Sequence, residues 1–147
     1  MKILVSACLL GLPCRYDGKS VPCEQVMALA AEHTLIPICP EQMGGLPTPR
    51  PPAERVGDRV INDRGIDVTE QYERGARCAL KLCQLYGCTH AILKEKSPSC
   101  GHGVIYDGSF SRTLTAGEGV CAALLAENGI TVMGESDIPS LLSKPRC

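Results

Sequence analysis

Short apolar runs of strand length alternate with stretches of helical spacing along this chain, and that alternation constrains its fold more than any other feature. Lys2–Ala7 is a continuous apolar run, and the segment from Pro22 to His33 carries Val26, Met27, Leu29 and Ala30 at helical intervals. Leu35–Ile38 predicts a second strand, whose Pro37 suits an edge or a distorted end. Val56–Ile61 suits a short hairpin. Thr69–Tyr86 predicts a helix with Asp67 or Thr69 as N-cap and Gly87 at its C-terminus. Ala91–Leu93 then reads as a strand, Ala116–Asn128 as a helix stopped by Gly129, Ile130–Met133 as a last strand and Ile138–Leu142 as a short terminal helix. Strands joined by helices imply a mostly parallel sheet, because the right-handed crossover needs a helix to return the chain. The expected fold is therefore α/β: one Rossmann-like sheet with helices on both faces, formed by residues 1–147 as a single domain.

One segment departs from the alternation. Residues 40–54 contain Pro40, Pro47, Pro49, Pro51 and Pro52 with the adjacent Gly44 and Gly45, which predicts a rigid surface loop with a functional part.

Composition narrows the class. The chain is 44% apolar and 21% charged with a formal net charge of -1, as expected of a soluble globular domain. Such balanced charge argues against a polynucleotide partner and against attachment to anionic lipid. The apolar N-terminal run is too short to span a bilayer and lacks the form of a signal peptide, so a cytoplasmic location is expected. Aromatic residues make up only 3%, leaving an aliphatic core.

Ten cysteines are the anomaly. At about 7% they fall just under the roughly 8–10% typical of disulfide scaffolds, and a cytosolic chain keeps its thiols reduced. Metal ligation, redox chemistry, catalysis and plain burial remain. Ligands of open α/β sheets bind beyond the carboxyl ends of the strands. Cys8 ends the first strand, Cys39 ends the second and Cys100 follows the third, so these three thiols should meet on one rim. Cys78, Cys83 and Cys121 fall among Ala and Leu of helices and read as buried apolar residues, as do Cys23 and Cys88 near element ends. Cys147 is terminal and expected to be exposed. Cys14 could be a further ligand or a loop residue.

Three thiolates leave an open position on a bound metal, and sulfur ligation favours zinc or an iron–sulfur cluster. The absence of any C-x-x-C pair argues against zinc ribbons and common ferredoxin patterns. Three polar residues adjoin the thiols. Glu41 lies two residues after Cys39 and could exchange protons, while Ser97 and Ser99 precede Cys100 and could orient a substrate or serve the turn.

Ser6-Ala-Cys8-Leu-Leu-Gly11 with Cys14-Arg-Tyr-Asp-Gly18, Cys39-Pro-Glu41 with Gly44-Gly-Leu-Pro-Thr-Pro-Arg50, and Lys96-Ser-Pro-Ser-Cys100-Gly101 together resemble a bacterial domain-of-unknown-function family that includes thiouracil desulfidase. The resemblance covers nearly the whole chain. It implies a [4Fe-4S] cluster on Cys8, Cys39 and Cys100 with one iron open, and a non-redox hydrolysis of the thiocarbonyl of a thiolated nucleobase or nucleoside. It implies Glu41 and Ser97 as catalytic residues and Ser99 and Arg50 as substrate contacts, with Lys96 a second cation for an anionic group. A cluster-based sulfide carrier and a non-catalytic zinc-binding domain are the alternatives.

Overall fold

The computed structural model describes residues 1–138. In chain order the elements are β1 (Lys2–Ser6), α1 (Glu24–Ala28), β2 (Thr34–Ile38), α2 (Pro40–Met43), the hairpin β3 (Ala53–Val56) and β4 (Arg59–Asn62), α3 (Thr69–Tyr86), β5 (His90–Leu93), the hairpin β6 (Val104–Tyr106) and β7 (Leu114–Ala116), α4 (Val120–Glu127) and β8 (Thr131–Gly134). β2, β1, β5 and β8 form, in that order, one parallel sheet. The two hairpins stand outside it as separate antiparallel pairs.

The central strand explains its own sequence. Ile3, Leu4 and Val5 of β1 are all fully buried, because successive side chains point to opposite faces and both faces are covered. Leu4, Ala91, Leu93 and Val132 pack against Ala76, Ala79 and Cys83 of α3 and against Cys121, Ala122 and Leu125 of α4. Ile3, Val5, Ile92 and Met133 pack on the other side against Val26 of α1, with Leu9 and Ile138. The edge strand β2 holds Pro37, where one side of the ladder is open and the missing N–H is tolerated.

α3 follows its apolar stripe: Tyr72, Ala76, Ala79 and Cys83 are buried along it together with Thr69 and Gly75, and Gly87 closes it at φ 71° in the left-handed region. Neither Asp67 nor Thr69 is its N-cap, because Thr69 is already the first helical residue and Asp67 stands one position too early. Val68 takes the N-cap position, while Asp67 Oδ1 accepts the Thr69 N–H at 2.9 Å.

Three segments differ from expectation. Residues 40–54 begin with the helical turn α2 and end in β3, so the proline-rich loop is confined between them. β6 and β7 form an unexpected hairpin, and the last helix starts at Val120 rather than Ala116 because Ala116 belongs to β7. The pattern from Pro22 to His33 is split between α1 and a 3-10 turn, Leu29–Ala31. The terminal helix expected over Ile138–Leu142 lies, beyond Ile138, outside the described residues.

Two glycines set the position of α2. A Cβ on Gly44 would lie 1.9 Å from the Gln71 carbonyl oxygen, and one on Gly75 would lie 1.8 Å from that of Pro40. α2 and α3 thus approach backbone to backbone, which only glycine permits.

Candidate active site

The chain turns to one side of β1 to form β2 and to the other to form β5, so the strand order reverses between β1 and β5. Crevices at such points are where open α/β sheets bind ligands. A cavity of about 560 Å³ opens there, within the size range of small-molecule sites.

Cys8, Cys39 and Cys100 all line this cavity, and all three are buried free thiols. Each is held by different local chemistry. Cys8 lies in the 3-10 turn Ala7–Leu10 directly after β1, and its carbonyl accepts N–H groups from Gly11 at 3.3 Å and Val21 at 3.0 Å. Cys39 is the N-cap residue of α2, seated by the Gly44 and Gly75 contacts described above, and Pro40 suits the first helical position. Cys100 ends a turn in which Ser97 Oγ accepts the N–H groups of Ser99 and Cys100, each at 3.1 Å.

That turn is also fixed from outside. Val120 N donates to Pro98 O at 2.9 Å and Cys121 N to Ser99 O at 2.8 Å. The free N–H groups at the start of α4 thereby find acceptors in the Cys100 loop. Gly119 makes the approach possible, since a Cβ there would sit 2.4 Å from the Ser99 carbonyl.

Glu41 projects from α2 beside Cys39, and Arg50 Nη2 donates to its Oε2 at 3.0 Å. The same guanidinium donates to Cys14 O at 2.9 Å, Thr48 Oγ1 at 3.1 Å and Pro47 O at 3.3 Å. The groups around the guanidinium therefore fix both it and one oxygen of Glu41. Glu41 Oε1 is buried without a hydrogen-bond partner, as is Ser99 Oγ. Buried polar atoms left unpaired are uncommon and call for a functional account.

Burial raises the Glu41 carboxyl above its ordinary value, against the opposing charge of Arg50 and the nearby Ser99 and Cys39. Burial likewise drives the Cys100 thiol well up, with the charges of Glu41 and Cys121 adding to it. Cys39 is raised by its hydrogen bond with Cys14, then by burial and Glu41. For Cys14, the hydrogen bond with Cys39 favours the thiolate, but contact with Cys8, burial and the charges of Cys8 and Glu41 outweigh it and push the thiol up to about 11. Thiols in such a pocket ionise when a cationic centre compensates them.

The expected site residues are thus brought together in unequal ways. Ser97 lines the cavity and serves the turn at once. Ser99 is fully buried behind the lining, near enough to Glu41 to favour its charged form. Arg50, expected at the substrate, lines the cavity, and four of its N–H groups bond the protein, one of them holding Glu41. Lys96 lines the cavity at φ 68°. Cys14 joins the lining, whereas Cys83, Cys88 and Cys121 are buried in the core as expected, Cys23 and Cys78 are only half-buried, and Cys147 lies outside the described residues.

Sequence reasoning missed Tyr16, Tyr72, Tyr106, Phe110 and Arg112, all on the cavity wall. Tyr106 and the two residues of the β6–β7 tip arrive through the unexpected hairpin. Tyr16 stood within a recognised motif, but its side chain had no sequence signal.

Among the described residues, no three His, Cys, Asp or Glu side chains converge tightly enough for a single metal ion. Four buried soft sulfurs around a roomy cavity, with an unpaired carboxylate oxygen, fit a polynuclear iron–sulfur group.

A parallel α/β sheet with a pocket lined by four buried thiols at its switch point defines a class of metal-dependent small-molecule site. The comparisons make this more particular. The 2-thiouracil desulfurase family model matches residues 3–137, and the chain belongs to that family. It is 41% identical over 150 residues to the uncharacterized protein YbbK of Bacillus subtilis (strain 168), covering 95% of this chain and 99% of that one. The structure matches that of the [4Fe-4S]-dependent thiouracil desulfidase TudS with a TM-score of 0.90 and 53% identity, over 95% of this chain and 94% of the other. No helix among the described residues is long and apolar enough to cross a membrane.

Proposed function

We propose that this protein is a [4Fe-4S]-dependent desulfidase that converts the thiocarbonyl of a thiolated uracil-type base or nucleoside to a carbonyl, releasing sulfide. The observation that carries this reading is the meeting of Cys8, Cys39 and Cys100 with Glu41 in one cavity, in a chain of the 2-thiouracil desulfurase family. Those three cysteines would hold the cluster. When bound, it supplies a soft Lewis-acidic iron without a protein ligand, suited to a thiocarbonyl sulfur.

The remaining chemistry belongs to the chain. Glu41 Oε1, the oxygen with no partner, takes a proton from the water that adds to the thiocarbonyl carbon. Arg50 fixes the other oxygen and so the carboxylate's direction. Ser97 Oγ accepts two backbone N–H groups and keeps its own hydrogen to donate toward the substrate. Replacing sulfur by oxygen needs water and no electrons. The cytosol, where thiols stay reduced, suits this chemistry.

Anaerobic reconstitution followed by incubation with 2- and 4-thiouracil tests the reading. Equal amounts of sulfide and uracil are expected. Glu41→Gln should retain the brown chromophore and lose turnover by about 10²–10⁴-fold, the usual weight of a general base. Full turnover in that variant would remove Glu41 from the mechanism, and a fully loaded but inactive wild type would remove the reaction.

A further inference from the structure

The chain has five aromatic residues, four Tyr and one Phe, and four of them line the cavity described above: Tyr16, Tyr72, Tyr106 and Phe110. Only Tyr86 lies elsewhere. In a protein whose core is aliphatic, nearly all the aromatic surface has been gathered at one place. Tyr72 has an ordinary packing role there, being buried against Val60 and Val68. Phe110 has none.

Phe110 is 40% exposed and belongs to no buried cluster among the described residues. Its ring has no polar atom to satisfy. Its φ of 57° lies in the left-handed region, an uncommon conformation for a bulky side chain and one that persists only where neighbours enforce it. The enforcing contacts come from the other hairpin. Glu54 Oε1, on β3, accepts the Gly108 N–H at 3.0 Å and the Phe110 N–H at 3.2 Å. Gly108, at φ 93°, brings the tip so close that a Cβ there would lie 2.9 Å from Arg55 O. Within the tip, Asp107 N donates to Thr113 O and Asp107 Oδ1 accepts the Ser109 N–H, both at 2.9 Å. Two hairpins distant in sequence are thus latched so that an apolar ring forms part of the cavity wall.

We infer that Phe110 is the stacking face on which the planar heterocycle of the substrate is held, a specificity-determining role that rests on the function proposed above and extends it. A flat ring offers the substrate a π-face whatever its substituents, so stacking selects planar heterocycles and tolerates either a free base or a nucleoside. Bonding of Glu54 to the backbone of the tip fixes the ring before ligand arrives, which lowers the ordering cost of binding.

The test uses reconstituted holoenzyme with 4-thiouracil, and isothermal titration with uracil as a readout independent of turnover. Phe110→Ala and Phe110→Leu should each raise KM and the uracil Kd on the order of tenfold, the usual weight of one base–aromatic stack, with kcat within about twofold. Phe110→Trp should restore both constants. The ring's exposure predicts unchanged melting temperature and iron content in all three variants. If Phe110→Leu keeps the wild-type KM and Kd, the ring is apolar cover and the inference falls. It also falls if the variants lose kcat and iron together. Failure of wild-type enzyme to turn over thiouracil would remove the reaction alone, and the uracil affinities would still decide the stacking.

Discussion

Arg50 and Glu41 form an ion pair at 3.0 Å in which the guanidinium is 4% exposed and the carboxylate 14%. Only one carboxylate oxygen is engaged, so the pair leaves the other available for chemistry while fixing its direction. Removing one partner of a buried pair costs about 3–5 kcal/mol, because the remaining charge is left uncompensated. Arg50→Met should therefore destabilise the fold by about 3 kcal/mol in urea unfolding. Arg50→Lys keeps the charge but cannot span Cys14 O, Thr48 Oγ1 and Glu41 Oε2 together. It should retain iron and lose kcat on the order of tenfold, measured on reconstituted protein.

The four cavity thiols should separate on reconstitution. Cys8→Ser, Cys39→Ser and Cys100→Ser should each lose most of the bound iron and the visible absorption, since serine oxygen is a poor ligand for iron in a sulfur site. Cys14→Ser should keep both. Its backbone carbonyl, which accepts Arg50 Nη2 at 2.9 Å, is untouched by the substitution. Iron per chain and the absorption spectrum of anaerobic samples check all four.

Gly75→Ala offers a test of sign. Within an ordinary helix the change stabilises by about 1 kcal/mol. Here the new Cβ would meet Pro40 O at 1.8 Å, backbone against backbone, and nothing flexible can yield. Overpacking of this kind costs about 1–3 kcal/mol or more. The melting temperature should fall by several degrees, at about 2–4 °C per kcal/mol for a chain of this size. Activity should fall further than stability, because α2 carries Cys39 and Glu41 with it.

Asp67 predicts an acid limb of stability. Thr69, through its side chain and its backbone N–H, and then Arg59 hold this carboxyl down at about 2. An unfolded Asp titrates near 3.9. The stabilisation is thus fully present above about pH 4 and is lost as pH falls through 2, because the unfolded chain takes up the proton first. Asp67→Asn should flatten the loss of stability between about pH 4 and 2 in denaturant titrations, leaving the neutral region parallel to wild type.

Legibility in the sequence followed the range of the interaction. The extent of α3 could be read, since its apolar stripe and Gly87 are local signals, but its N-cap could not. The strand-end cysteines could be read because parallel α/β topology sends every strand's carboxyl end to one side. The β6–β7 hairpin could not. β7 is exposed throughout and its tip is polar apart from Phe110, so no alternation of buried and exposed positions marks it. The hold of Arg50 on Glu41 could not be read for the same reason. The guanidinium's acceptors at Cys14, Pro47 and Thr48 are backbone or neutral groups without a charge pattern.

By itself, then, the sequence determined the alternating elements, the parallel sheet and which thiols and carboxylate could share a rim, because hydrophobic period, capping residues and crossover handedness act locally or topologically. Only the tertiary structure decided which groups are free to react. It commits Arg50 to Glu41, withdraws Ser99 behind the cavity wall and delivers Phe110 to that wall through a latch to Glu54. Each outcome depends on close packing between segments far apart in the chain, where tenths of an ångström decide which hydrogen bond forms.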